Sequence, residues 1–448
     1  MNNIHHAEGN KDVDIGELLD EGPWTTVQRI VVLIAALSIV LDGFDGQLIG
    51  YAIPVLIQEW DVSRADFAPV VASGLFGMAF GSAFAGLIAD RFGRRLAVIL
   101  SVITFGLATM AIGLSQGIWS IAFFRFIAGL GIGGALPTST TMTAEYTPRR
   151  YRTVAITATI VCVPLGGMLA GIYSSWVLPT FGWRTLFIVG GGISVLFSAL
   201  LITSFPESPR WLSRQPAKAK VLADLLARIE RPVPAGARLI DPTERISGKS
   251  GISTLFNDGR ALSTVALWTA FFTTLLSVYL AFSWLPTLLT SEGLSLSLAG
   301  SGLTAYNLGG VIGALVCAVA IDRFGSRSPL VFCSFAAAAT ALFLSELNEM
   351  EATTMLIVGI GLHGLFVNAV QSTAYAVAAN LYPTEVRATG TAAALVIGRL
   401  GAISSGFAGA TVIASGGAQS YFGVLFIAMA ISGFAFLILR KHIPRASH

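Results

Sequence analysis

Apolar runs long enough to cross a bilayer recur twelve times along this chain of 448 residues. A helix needs about 20 consecutive apolar residues to traverse the hydrocarbon core, where every backbone polar group has to be bonded internally. The predicted spans are 28–57, 66–89, 96–115, 118–143, 153–177, 184–204, 261–290, 298–321, 328–345, 352–380, 388–413 and 419–440. The expected fold class is therefore all-α and integral to a membrane. A mean hydropathy of +0.74 agrees, as does a charged fraction of 12%, against about 25% in a soluble domain.

Orientation follows from the 28 Lys and Arg. With both ends cytoplasmic, every one of them falls in the tails and inner loops except four: Arg64 and Arg184 outside, and Arg125 and Arg399 within the membrane. The net charge of +3 thus reports topology, and no nucleic-acid partner is implied. Residues 1–25 are polar and acidic (Glu8, Asp12, Asp14, Glu17, Asp20, Glu21) and lack a cleavage pattern, so the first span is expected to be retained. Cys162, Cys317 and Cys333 have neither metal-ligand nor disulfide spacing and read as small packing residues. Gly129-Leu-Gly-Ile-Gly-Gly134 has the look of a dinucleotide loop, but it lies inside span 4 with no strand before it, and close helix packing explains it better. No phosphate-binding loop, catalytic triad or zinc spacing is present. Enzymatic activity and ATP-driven transport are therefore not expected, and no cofactor or metal is implied.

The sequence repeats itself on either side of a polar stretch. Asp90-Arg-Phe-Gly-Arg-Arg95 after span 2 recurs as Asp322-Arg-Phe-Gly-Ser-Arg327 after span 8, 232 residues later. Pro54 maps by the same offset onto Pro286, while Pro148 and Arg152 map onto Pro383 and Arg387 at an offset of 235. A duplicated six-helix unit predicts two pseudo-symmetric bundles that rock about a midplane site. The expected organisation is a cytoplasmic tail (1–25), a first bundle (26–204), a cytoplasmic loop (205–260), a second bundle (261–440) and a short cytoplasmic tail (441–448). The loop is expected to hold one amphipathic helix, Ala217–Arg228. In the repeated turns, Gly93 and Gly325 permit a tight reversal, and the neighbouring charges can pair across the inner face. Candidate gating pairs draw on Asp90, Arg94, Arg95, Glu145 and Arg152 in one half and Asp322, Arg327, Glu385 and Arg387 in the other. The alternative is that these charges only set topology or form solvated surface pairs.

Four ionisable groups lie deeper. Asp42 and Asp45 sit three residues apart near the middle of span 1, on one helix face. An aspartate at that depth costs about 2.5 to 3.5 kcal/mol on insertion scales unless it is protonated, paired or hydrated, so proton carriage is the expected role. Their repeat counterparts are Thr274 and Ser277, which confines the carboxylates to one half. Arg125, close in depth to Asp45, can bind a carboxylate ligand or pair with an aspartate, and both readings stay open. Arg399 lies mid-depth in the second half, where no intramembrane acid is available, and is expected to meet an anionic substrate.

Three segments carry a resemblance. Gly86-Leu-Ile-Ala-Asp-Arg-Phe-Gly-Arg-Arg95, Arg125-Phe-Ile-Ala-Gly-Leu-Gly-Ile-Gly-Gly134 and Pro206-Glu-Ser-Pro-Arg-Trp-Leu212 resemble signatures of the major facilitator superfamily. Within it, Asp42-Gly-Phe-Asp45, Ala144-Glu-Tyr-Thr-Pro148, Ser283-Trp-Leu-Pro-Thr287 and Tyr382-Pro-Thr-Glu-Val-Arg-Ala-Thr-Gly390 are similar to the aromatic acid:proton symporters of bacteria. The resemblance implies proton-coupled uptake of an aromatic carboxylate such as a hydroxybenzoate or benzoate across the inner membrane, by a monomer whose partners are the acid anion, the proton and the bilayer. It also implies that the aspartate pair is required for transport and that spans 1, 4, 7 and 10 line the cavity. Phe44, Trp284, His363, Phe366, Asn368 and Gln371, with Tyr306 and Asn307 on span 8, thereby become candidate substrate contacts beside Arg125 and Arg399; packing is the alternative for each. A sugar or organic-cation carrier and a non-transporting sensor on the same fold are the competing readings.

Overall fold

The computed structural model describes residues 12–231, 238–240, 252–257, 259–347, 353–383 and 386–445, and among these the chain forms twelve membrane-length helices. Spans 1 to 4 are Thr26–Trp60, Arg64–Phe92, Arg94–Ile112 and Ile118–Tyr146. One helical run, Arg149–Ser204, supplies spans 5 and 6 because it breaks at Gly182, where φ is 75° and only glycine turns without strain. Spans 7 to 10 are Ala261–Ser291, Leu296–Phe324, Arg327–Ser345 and Thr353–Leu381. Spans 11 and 12 share the run Arg387–Ile438, which breaks at Gly416 and Gly417.

Local chemistry sets several helix starts. Span 1 opens on a capping box in which Thr25 Oγ1 accepts from the Gln28 N–H and Gln28 Oε1 accepts from the Thr25 N–H; Ser63 and Asp66 do the same for span 2. Between spans 2 and 3 the chain reverses at Gly93 (φ 107°), and between spans 8 and 9 at Gly325 (φ 75°).

Six helices form each bundle, and glycines bring them into backbone contact in a pattern that the two halves share. A Cβ on Gly77 or Gly81 would lie 2.2 or 2.1 Å from a carbonyl oxygen of span 4, and one on Gly133 2.1 Å from the Met78 oxygen of span 2. Spans 8 and 10 repeat this closeness at Gly309, Gly313 and Gly364. Gly43 and Gly166 join spans 1 and 5, as Gly401 joins span 11 to span 7. Lipid chains are as apolar as Leu, so such packing rather than apolar burial holds membrane helices together.

The two bundles meet through span 1 against 7, span 2 against 11 and span 5 against 8. Gly50 abuts the backbone of Phe282 and Ser283, Ala72 meets Gly406, and Gly171 meets Thr304. All three contacts lie in the halves of their helices remote from the chain termini, so the bundles are sealed on the face opposite the termini.

The described part of the N-terminal segment is folded. Asp12–Asp14 pairs in parallel with Arg238–Ile240, and the helix Ile15–Asp20 buries Ile15 and Leu19. In the central segment the helix runs Ala219–Arg228, two residues later than predicted, and Pro216–Lys218 is a separate 3-10 turn. Its Leu222, Leu225 and Leu226 are buried, and the Arg231 guanidinium donates to the Leu18 and Pro23 carbonyls.

Replacing Gly77 by Val should destabilise the protein by about 1–3 kcal/mol, because its side chain meets unyielding backbone. Gly86→Val, with nothing within 4 Å of its Cβ, should be near neutral. Melting of the purified protein in detergent checks both.

Candidate functional site

Between the bundles, at mid-depth, lies a cavity of about 970 Å³ of atom-free space, counting the part open to water. Its floor is the seal described above. Asp42 lines it from span 1, and Arg399 faces Asp42 from span 11, near enough for the two charges to interact. Arg399 Nη1 donates to the Tyr279 hydroxyl (3.1 Å), and Tyr375 and Gln371 complete the same wall from span 10. The cation that had no acid within its own half therefore finds one across the interface.

The two aspartates divide. Both are buried, at 5% exposure for Asp42 and 1% for Asp45, but only Asp42 borders the cavity. Asp45 turns into the first bundle, where Thr109 Oγ1 of span 3 donates to its Oδ1 (2.5 Å). Three residues along a helix amount to 300° of rotation, so one face still fans over about 60°, enough to point the pair at different neighbours.

Arg125 borders the cavity from span 4 and lies within the field of Asp45. Its Nη2 donates to the Gly46 carbonyl (3.3 Å), whereas Nε and Nη1 are buried without a hydrogen-bond partner. Gly74 makes room for the guanidinium: a Cβ there would stand 3.2 Å from Nε. Asp42 Oδ1 and Asp45 Oδ2 are likewise buried and unpartnered. Asp42 and Arg125 thus bring charged atoms of both signs to one cavity, the kind of grouping found at functional sites.

The predicted contacts separate into two groups. Asn368 and Gln371 reach the cavity wall with Arg125 and Arg399. Asn307 stands one step behind it, exchanging amide hydrogen bonds of 2.8 and 3.2 Å with Gln47 across the two halves. Tyr306 backs the cavity residue Phe282 edge-on, with ring centroids 5.9 Å apart. The structure does not bring Phe44, Trp284, His363 or Phe366 to the cavity. Phe44 packs on Tyr173 inside the first bundle, and Trp284 is fully buried against Gly409. The His363 ring bonds the Ala337 carbonyl (3.0 Å) towards span 9, and Phe366 meets Phe332 on the far side of span 10. Membership of a cavity-lining helix does not fix which side of that helix faces inward.

Sequence reasoning missed Gln47, Tyr279, Phe282, Ser283 and Tyr375 on the cavity wall. The repeat held a usable signal, since the offset of 232 maps Gln47 onto Tyr279. Tyr375 is one helical turn beyond Gln371.

At the terminal face the predicted charges assemble within halves. Arg94 pairs with Glu145, which also accepts from Ser208, and Arg152 pairs with Asp20. Glu207, unrecognised from sequence, accepts from the backbone N–H groups of Arg94, Arg95 and Ser208 at 2.8, 3.0 and 2.8 Å and so caps span 3. Arg95 Nη2 donates to the Ile202 carbonyl, and the exposed Asp90 receives the Trp211 indole N–H at its carbonyl (3.1 Å). In the second half the C-terminal segment takes over: Ser326 and Ile443 exchange hydrogen bonds and Arg327 donates to the Leu437 carbonyl (3.3 Å). Arg387 bonds the Tyr382 carbonyl (3.4 Å), Asp322 is exposed, and Glu385 lies outside the described residues. Burial holds the His442 imidazole of this segment below its ordinary titration range. Among the described residues, each of these interactions stays within one half, which fits a cavity closed away from the termini.

The family model of the Major Facilitator Superfamily matches residues 35–305 and 289–448. The chain belongs to this superfamily. It is accordingly a multi-pass membrane transporter and not an enzyme. It is 34% identical to a gallate transporter of Pseudomonas putida, over 90% of either chain. A 4-hydroxybenzoate transporter of Acinetobacter baylyi is also 34% identical, over 91% of this chain and 90% of its own. The xylose transporter of Escherichia coli, in a partially occluded inward-open conformation, superposes with a TM-score of 0.75 at 17% identity, over 93% of this chain and 99% of its own. That likeness concerns the fold.

Replacing Gln47 by Ala deprives Asn307 of its cross-half partner and should weaken the seal by about 1 kcal/mol, roughly fivefold in its closing equilibrium. Ser174→Cys, placed in the sealed crevice beside Tyr51 and Pro286, should then react several-fold faster with an impermeant maleimide added on that side.

Proposed function

We propose that this protein takes up an aromatic carboxylate together with protons, by alternating access, across the bacterial inner membrane with both termini cytoplasmic. The observation that carries the reading is the charge inventory of the cavity: Arg399 and Arg125 border it, against the single carboxylate of Asp42. Such a site favours an anion, and the Tyr279, Phe282 and Tyr375 rings offer flat apolar surface to an aromatic body. The names of the gallate and 4-hydroxybenzoate relatives support the same class. Basic residues gathered at the terminal face support the orientation, and the enclosure of the whole cavity by one chain supports a monomer.

Coupling follows from the position of Asp42. In the empty site its carboxylate offsets Arg399 across the interface. A substrate carboxylate that takes Arg399, with Tyr279 beside it, leaves Asp42 as an uncompensated second anion in surroundings of low dielectric, and proton uptake relieves it. Around Arg399 the loaded site then carries one carboxylate and one guanidinium, and the bundles rock over that neutral pair. Asp45, hydrogen-bonded to Thr109 and within the field of Arg125, is the second proton site. Asn368, Gln371 and, through Gln47, Asn307 are the polar contacts proposed for ring substituents. The pairs Arg94–Glu145 and Arg152–Asp20 brace the first bundle while the inner side is open.

In proteoliposomes held acid outside, so that protons run inward, wild type should concentrate 4-hydroxybenzoate and an uncoupler should abolish the accumulation. Asp42→Asn should bind the acid yet fail to concentrate it, and Arg399→Gln should weaken binding more than tenfold. Normal accumulation by Asp42→Asn would refute the proton assignment; absence of uptake across a panel of benzoates would refute the substrate class.

A further inference from the structure

Cys317 and Cys333 have no part in the cavity, yet the fold brings them together. Spans 8 and 9 form a hairpin about the Gly325 turn. Cys317 stands seven residues before the end of span 8 and Cys333 six residues after the start of span 9. At about 1.5 Å per residue both thiols lie roughly 10 Å from that turn, at matched depth. Cys317 Sγ lies 3.3 Å from Thr373 Oγ1 of span 10.

Both thiols line a groove of about 720 Å³, counting its open part, on the outer surface of the second bundle. Its other walls include Phe324, Phe332, Phe366 and Ala369. Phe332, at the depth of the thiols, is 66% exposed, which there means exposed to lipid, and Phe324 at the end of span 8 is 65% exposed. The substrate cavity lies on the opposite side of span 10, where Asn368, Gln371 and Ser372 face inward.

We propose that Cys317 and Cys333 form a dithiol site, entered from the bilayer, that takes a trivalent arylarsenical by bridging its arsenic between the two sulfurs. Paired sulfurs suit a soft, thiophilic centre, and the three phenylalanines suit a neutral aryl group that dissolves in lipid. With phenylarsine oxide the step is a condensation. Two As–S bonds form, the As=O bond and both S–H bonds break, and oxygen leaves as water with the two thiol protons. No atom changes oxidation state. Cys162, alone on span 5 and half-buried, has no second thiol to close a ring.

The test uses the full-length protein in lipid nanodiscs, treated with phenylarsine oxide and washed with a monothiol. One arsenical per chain should remain by intact mass, and thiols titrated after unfolding should fall from three to one. 2,3-Dimercaptopropanol should restore all three. Cys162→Ala should keep the adduct, whereas Cys317→Ala and Cys333→Ala, each verified as monodisperse, should lose it. Three free thiols in treated wild type would overturn the site, as would an adduct that survives in either of the last two variants.

Discussion

Placing an ion in hydrocarbon costs so much free energy that each charge held there must be paired, hydrated or matched by a ligand. Four groups in this transporter are subject to that demand, and the fold answers it across the boundary between its bundles. Asp42 belongs to one half and Arg399 to the other, so their mutual compensation exists only while the halves face each other at the cavity. In the proposed cycle a bound anion changes that balance at the surface along which the halves move, which would tie ligand charge to conformation without a separate relay.

Rigid halves are needed for such a balance to have mechanical effect. Glycine contacts that set one helix backbone against the next leave little room for helices to slide within a bundle, and the same contacts recur between spans 2 and 4 and between spans 8 and 10. Contacts between the bundles are fewer and mixed: backbone on backbone at Gly50, side chain on backbone at Gly171, and one reciprocal amide pair, Gln47 with Asn307. These can part without unfolding either bundle. At the terminal face the two halves are finished differently, the first by Glu207 and the folded N-terminal segment, the second by the C-terminal segment around Ile443. Duplication thus conserved the packing and left the ends free to diverge.

Much of this was legible in the residues. Twelve apolar runs, the turns at Gly93 and Gly325 and the offset of 232 define two bundles because hydrophobic length and backbone freedom are properties of local sequence. Depth was legible too, since rise per residue locates Asp42 and Arg399 near one level. Rotation about each helix was not. Phe44 and Trp284 lie on helices that line the cavity but on faces that pack inside a bundle, whereas Tyr279 and Tyr375 face inward without any mark in composition.

The sequence alone determined that the chain crosses a membrane twelve times, that it is built from a repeated half, and that the intramembrane carboxylates occupy only the first half. These are consequences of how many apolar residues run together and of which charges interrupt them. Tertiary structure alone decided that Asp42 borders the cavity while Asp45 bonds Thr109, that Arg399 shares that cavity with an acid from the other half, and that the bundles close on the face away from the termini. Those outcomes depend on the azimuth of each helix and on contacts between residues far apart in the chain, which local pattern does not encode.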